Sequence, residues 1–407
     1  MSSHDIEPFP WDLGLYDAHC HPTDVMSSID RIPAMKARAL TIMATRAQDQ
    51  EQVALVGNSN GITTREEFST ATKKVIPAFG WHPWFSHQLL DSVNEYDSLP
   101  TRDAGALGEL KRRHYAKVLS PTPNDDFIAH LPAPILLSEF IAETKGRLQA
   151  HPSALVGEIG LDKAFRLPEK WTPKHETNRD TTLTPGGREG RRLSPYAVDM
   201  EHQKAILKAQ LNLAGEMMRP VSIHGVAAHG ILYDAIASTW KGHEKEVISS
   251  RERKLIAPHA EDWTSAEDED DEDDFSSSQR ILKKKPKVPK SKEIKPMPFP
   301  PRICLHSYTG SHDFAAQYLK KHIPVTIYFS FSCCVNLTSK SVAAKLEDVL
   351  RVVPDDRVLV ESDLHIAGDE MDQELEKIAR LVCKIKGWDL RKGVEKLASN
   401  YEAFIFG

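Results

Sequence analysis

Leu15-Tyr16-Asp17-Ala18-His19-Cys20-His21 is an apolar run that ends in two histidines two positions apart. Read as a β-strand, it turns alternate side chains to one face, so His19 and His21 project side by side. Two imidazoles fixed at a strand's end can grip one divalent cation with little rearrangement. With 18 histidines in 407 residues, such a pair also arises by chance, so the downstream strands decide its meaning.

Those strands repeat the arrangement. Ala39–Thr45 and Val75–Gly80 are nearly continuous apolar runs, as expected of strands covered on both faces of a parallel sheet. Pro33–Arg38 reads as a brief helix and Asp49–Gly57 as the next. The third strand leads into Trp81-His82-Pro83-Trp84, placing His82 just past its end in a loop stiffened by proline. Ala154–Asp162 is a fourth strand, with Glu158 set in an apolar stretch beside Gly157 and Gly160. A buried carboxylate without a partner costs several kcal/mol, so Glu158 needs a cation or a hydrogen-bond network. Pro220–Gly225 brings His224 to the end of a fifth strand, and Arg302–Gly310 forms a sixth strand and turn carrying His306. Pro324–Ser330 is the seventh, and Arg357–Asp363, the eighth, closes on Asp363. Helical spacing falls between them, over Leu136–Gln149, Val198–Met218, Val226–Trp240 and Val342–Val352. A helix running to about Lys321 takes Ser311 as its N-cap, and Asp372–Lys386 and Leu390–Phe406 finish the chain. Eight strands alternating with helices predict an α/β fold, a (β/α)8 TIM barrel with long loop insertions.

The predicted organisation is an N-terminal tail over 1–14 and a single barrel over 15–407. Its insertions fall at about 100–134, 163–196 and 241–300. The second is polar and rich in Pro, Gly and Arg, and reads as a lid after the fourth strand. The third holds eight consecutive acids, Glu267–Asp274, followed by the lysine-rich Arg280–Lys295, and reads as a disordered, charge-segregated loop. It is also where a partner would dock or a nuclear-import signal would sit, around Lys283–Lys287. The net charge of −6 argues against a generally basic nucleic-acid coat, though not against a local positive cleft. Five cysteines without a CxxC pair suit a reducing compartment, the cytoplasm or the nucleus. The first twelve residues carry no apolar core of a secretory signal, and no apolar run is long enough to span a membrane.

In such a barrel the carboxyl ends of the strands converge on one rim, where active sites are built. Strand ends supply His19, His21, Glu158, His224, His306 and Asp363. Four imidazoles and two carboxylates satisfy two divalent ions, with Glu158 bridging, which also resolves the buried charge of that residue. Such a donor set accepts Mg²⁺, Zn²⁺ or Mn²⁺.

These motifs resemble those of the TatD-related metal-dependent hydrolases of the amidohydrolase superfamily. The resemblance rests on Asp17–His21, Gly80–Pro83, Gly157–Asp162, Pro220–His224, His306–Gly310 and Glu361–Asp363. It implies His19, His21 and Asp363 on one metal, His224 and His306 on the other, and Glu158 shared. It implies Mg²⁺-dependent hydrolysis of DNA phosphodiesters, with Asp363 accepting the proton of the attacking water and His82 contacting substrate or protonating the leaving group. The charged insertions resemble the fungal branch, which includes an interactor of a TPR subunit of the anaphase-promoting complex. Two positions depart from the family pattern: Val226 stands where an Arg is usual, and His365 where a Pro is usual. Two other functions remain open, an amidohydrolase acting on an amide or ester, and a non-catalytic scaffold for a cell-cycle protein.

Overall fold

The computed structural model describes residues 7–70, 72–91, 104–247 and 296–407. The acidic run 267–274, the basic run 280–295 and most of the insertion expected at 241–300 lie outside the described residues.

Eight parallel strands form a nearly closed barrel with helices between them. In chain order they are β1 (Tyr16–Cys20), β2 (Ala39–Met43), β3 (Val75–Phe79), β4 (Leu155–Asp162), β5 (Val221–Val226), β6 (Arg302–Leu305), β7 (Thr326–Phe331) and β8 (Val358–Val360). Neighbours in sequence are neighbours in the sheet, with registers such as Tyr16↔Ala39, Leu40↔Val75 and Phe329↔Val358. The seam between β8 and β1 is drawn together just beyond the strands. Asp363 N donates to His19 O at 3.0 Å, His21 N donates to Leu364 O at 2.8 Å, and Ser362 N donates to the buried Asp17 carboxylate at 3.0 Å.

Strand alternation sorts the core into two layers. Ile303 and Leu305, or Val358 and Val360, face the surrounding helices. Cys304, Tyr328 and Leu359 face the barrel interior, with Tyr16, Ala39, Ile76 and Leu155. The C-terminal helix Leu390–Phe406 plugs that interior: Tyr401 stacks on Tyr16 at 4.7 Å, and its hydroxyl meets Thr41 Oγ1 at 2.7 Å. Interior parity carried upward from Ser222 and Cys304 brings His224 and His306 inward. On β1 and β4 the alternation is interrupted, between Asp17 and Cys20 and between Val156 and Ile159. These two irregularities turn His19 and Glu158 inward, where regular pleating would have sent them the other way.

The helices Ala47–Asn60, Leu137–Ala150, Met200–Glu216, His229–Ala237, His312–Tyr318, Lys340–Val352 and Asp369–Lys386 lie where the spacing predicts them, within a few residues. Ser311 caps its helix, accepting from Phe314 N at 3.3 Å. Pro33–Arg38 is not a helix. The helical turns lie earlier, over Pro22–Ala34, because Pro22 is suited to a first turn and the chain becomes extended at Met35. The helix Ala104–Val118 has no sequence expectation behind it. The segment 163–196 is irregular apart from Pro173–Thr177 and folds back over the rim. Among the described residues no helix is long and apolar enough to cross a membrane.

Candidate metal centre

The structure brings His19, His21, Glu158, His224, His306 and Asp363 together at the carboxyl end of the barrel. His19 Nε2 and His21 Nε2 are 3.1 Å apart, and both face Glu158 Oε2, at 3.4 and 3.5 Å. Asp363 Oδ1 stands 3.8 Å from His19 Nε2 and 3.5 Å from His21 Nε2. On the other side, Glu158 Oε1 lies 2.9 Å from His224 Nδ1 and 2.8 Å from His306 Nε2, and those two nitrogens are 3.3 Å apart. Ligands about 2.1 Å from one cation sit roughly 3.0–3.4 Å from each other, and the separations here, from 2.8 to 3.8 Å, bracket that range within a few tenths of an ångström. The two oxygens of Glu158 are divided between them. Overlapping groups from these residues and His82 converge within 4.8 Å: His19 with His21 and Glu158, His19 with His306 and Asp363, and His82 with Glu158 and His224.

Two of the outer ring nitrogens are hydrogen-bonded as well. His19 Nδ1 meets Ser222 Oγ at 2.9 Å, and His224 Nε2 meets Asp162 Oδ2 at 3.2 Å. His306 Nδ1 makes no hydrogen bond and lies 3.5 Å from the fully buried Glu361 carboxylate. Such partners fix which nitrogen points at the centre and strengthen it as a donor. Asp162 also accepts from Trp84 Nε1 at 2.6 Å and from the backbone of Ala164 and Phe165 at 2.7 and 2.9 Å. Sequence reading quoted Asp162 and Glu361 inside motifs without giving them roles. Ser222 carried no signal beyond its interior parity with His224.

The electrostatics match a site built around positive charge. Burial alone would push the Glu158 carboxyl up, yet His82, His306 and His19 hold it well below the ordinary range. Burial likewise opposes ionisation of Asp363, but a hydrogen bond from His21 and the charges of His19 and His306 bring it to about 2. Burial disfavours the His21 cation, and the Asp363 hydrogen bond with the nearby charge of Glu158 overrides this, raising it to about 9. His82 goes the other way, to about 4, because burial outweighs its contact with Glu158. It is therefore neutral near pH 7. Its Nδ1 accepts from Trp84 N at 3.1 Å, and its Nε2 faces Glu158 Oε1 at 3.1 Å.

A cavity of about 640 Å³ opens over these residues. Its walls include Trp84, which stacks on Phe165 of the lid at 4.7 Å, together with Val226 and the lid residues Thr184 and Arg188. His365 lies at its edge, stacked on His21 at 5.3 Å and bound to Asp24 at 2.8 Å. Arg46, unremarked in sequence, ties rim to lid. It bonds Asp24 at 2.7 Å, Asp49 at 3.0 Å, and the lid carbonyls of Thr184 and Pro185 at 3.1 and 2.9 Å.

The sequence pattern described as TatD related DNase matches residues 16–406. This chain belongs to that family. Its relatives include the Cut9-interacting protein scn1 of Schizosaccharomyces pombe, 33% identical over 96% of this chain and 98% of that protein. An uncharacterized deoxyribonuclease of Saccharomyces cerevisiae is 25% identical over 96% of this chain and 99% of its own length. Among solved structures, a TatD family hydrolase from Entamoeba histolytica superposes with a TM-score of 0.51 at 12% identity, over 97% of this chain and 98% of its own. That likeness supports the barrel. Membership makes the chain a TatD-family hydrolase with candidate metal-binding clusters at its rim.

Proposed function

We propose that the protein is a divalent-metal-dependent deoxyribonuclease that holds two cations, Mg²⁺ foremost with Mn²⁺ or Zn²⁺ as alternatives. The observation that carries this reading is Glu158, whose Oε2 faces His19 and His21 while its Oε1 faces His224 and His306. Asp363 completes the first group. When bound, the cations supply Lewis acidity toward a phosphoryl oxygen and lower the pKa of water.

The chain's own groups do the rest. Asp363, ionised down to about pH 2, accepts the proton released as water attacks phosphorus. His82 lines the cavity and holds Glu158 through its single N–H, at Nε2, so that it positions the shared carboxylate. Trp84 and Phe165 offer an aromatic wall to a nucleobase, since base stacking needs a π-face and no particular hydrogen-bond pattern. The test is cleavage of single- and double-stranded DNA with Mg²⁺ or Mn²⁺, in the parent and in Glu158→Ala. Activity is expected in the parent and a loss of at least about a thousandfold in the variant, in line with removing a charge-stabilising group at the reaction centre. Equal rates overturn the proposal.

The fission-yeast relative, similar over nearly its whole length, is named for interacting with Cut9, which supports a second role in binding a protein partner, for which we propose a TPR protein. Deleting residues 261–295 is expected to abolish capture of that partner while leaving hydrolysis intact. Retained capture overturns this assignment of the segment.

A further inference from the structure

The cavity over the candidate metal centre contains two side chains of permanent positive charge, Arg46 and Arg188. Arg46 is spent: it is buried, paired with Asp24 and Asp49, and its remaining donors reach Thr45 and the lid carbonyls. The lid carboxylate Glu189, also in the cavity wall, is neutralised by Arg179 at 2.6 Å. Arg188 differs from both. Its Nε donates to Arg191 O at 2.7 Å, and it forms no ion pair among the described residues. Among the described residues, the two terminal amino groups of this exposed side chain have no protein acceptor, and they stand at the wall of the cavity.

The backbone under Arg188 is fixed. Gly186 and Gly190 adopt φ of 100° and 76°, and Glu189 adopts 49°, a left-handed conformation rare for a residue with a side chain. Arg191 N and Nε both donate to Arg188 O, at 3.0 and 3.1 Å, and Arg191 also bonds Gly187 O at 2.6 Å. A Cβ on Gly186 would meet Gln48 at 2.7 Å, so the loop tip lies hard against the rim. A guanidinium on such a support loses little freedom on binding, and its fork matches two oxygens of a phosphate.

We propose that Arg188 is the anion-binding residue of this site, seating a phosphate group of the substrate, so that the lid completes a specificity pocket for phosphate esters. The proposal rests on the hydrolase reading above only for the identity of the anion as a substrate phosphate.

The test uses the full-length, Mn²⁺-loaded protein. Calorimetry measures inorganic phosphate binding, and kinetics follow a 4-nitrophenyl nucleotide phosphodiester. Arg188→Ala is expected to weaken phosphate binding and raise KM by about 10- to 100-fold, the loss of a charge-assisted bidentate contact, with kcat changed far less. Arg188→Lys, which keeps the charge and loses the fork, falls between. The exposed lid variant Arg192→Ala, outside the cavity wall, controls for general loss of positive charge. If the parent cleaves no phosphodiester, the nuclease reading fails, while phosphate binding that weakens in Arg188→Ala still supports the anion seat. Equal phosphate affinity in parent and Arg188→Ala, or no phosphate binding by the parent, overturns the proposal.

Discussion

His224 is held from both sides, by Glu158 at Nδ1 and by Asp162 at Nε2. Replacing Asp162 with Asn keeps an acceptor for the backbone of Ala164 and Phe165 but removes the charge that makes the imidazole a strong donor. Asp162→Asn is therefore expected to weaken Mn²⁺ binding by about 10- to 100-fold, with the melting temperature of the metal-free protein nearly unchanged. Titration calorimetry decides it, and a change under about twofold counts against the positioning role. Protons compete for the same atoms. His21 in the metal-free site keeps its proton up to about pH 9, favoured by Asp363 and Glu158 over the opposing effect of burial. A cation has to displace that proton, and those of His224 and His306, which are raised as well, so apparent metal affinity should rise with pH up to at least about 9. At this scale the sequence was readable where a polar side chain sat at the end of an apolar run. It was silent on Ser222 and Arg46, because an ordinary serine and arginine acquire their roles only from what folds against them.

The lid shows the same divide between pattern and contact. Its lack of period, with its prolines and glycines, marks it as a non-helical insertion. That it lies closed on the rim depends on backbone carbonyls more than a hundred residues from their donor, which no local pattern encodes. Arg46 is the staple. Removing its guanidinium strands Asp49 in the interior, although Thr45 and the Arg46 backbone still donate to that carboxylate at 3.0 Å. Arg46→Met is expected to cost about 3 kcal/mol, the low end for breaking a buried pair. It should also expose residues 163–196 to limited proteolysis. Denaturant unfolding and digestion mapping test the two halves separately, and an intact lid in the variant would assign the closure to other contacts.

Across the whole molecule, eight apolar runs alternating with helices made the barrel legible, because a strand buried on both faces leaves little choice of residue. The two places where sequence periodicity misleads, β1 and β4, are where pleating gives way to point His19 and Glu158 inward. Between residue 85 and the helix that begins at Leu137 the sequence was opaque, although Tyr115, Val118, Phe127 and Ile128 form an apolar cluster there, because a polar cluster of histidines interrupts the apolar pattern. There His114 Nε2 meets His87 O at 2.7 Å and His202 Nε2 meets Ser86 O at 2.9 Å, joining the loop after β3 to the helices Ala104–Val118 and Met200–Glu216. Burial pushes His87 down from 6.5 to about 3 and His114 to about 4, and lowers His202 too. The unfolded chain takes up these protons near 6.5 while the folded chain refuses them until about 3 to 4. The cluster's contribution to stability is thus full above pH 6.5 and is lost as pH drops through that window. Denaturant midpoints measured from pH 8 to 4 should decline, and His87→Leu should flatten the decline. Acid also protonates the metal centre, so the measurement belongs on metal-free protein, where the cluster's share is separable. Adding metal gives the complementary result. A cation that binds only the folded chain stabilises it by about 2.7 kcal/mol at a hundred times its Kd. The melting temperature should therefore climb with Mn²⁺ and return to its starting value with a chelator, while Glu158→Gln, which loses the carboxylate shared by both donor groups, should show little of either change. A metal-independent melting temperature in the parent would leave the six rim residues as a hydrogen-bonded cluster with no ion to hold.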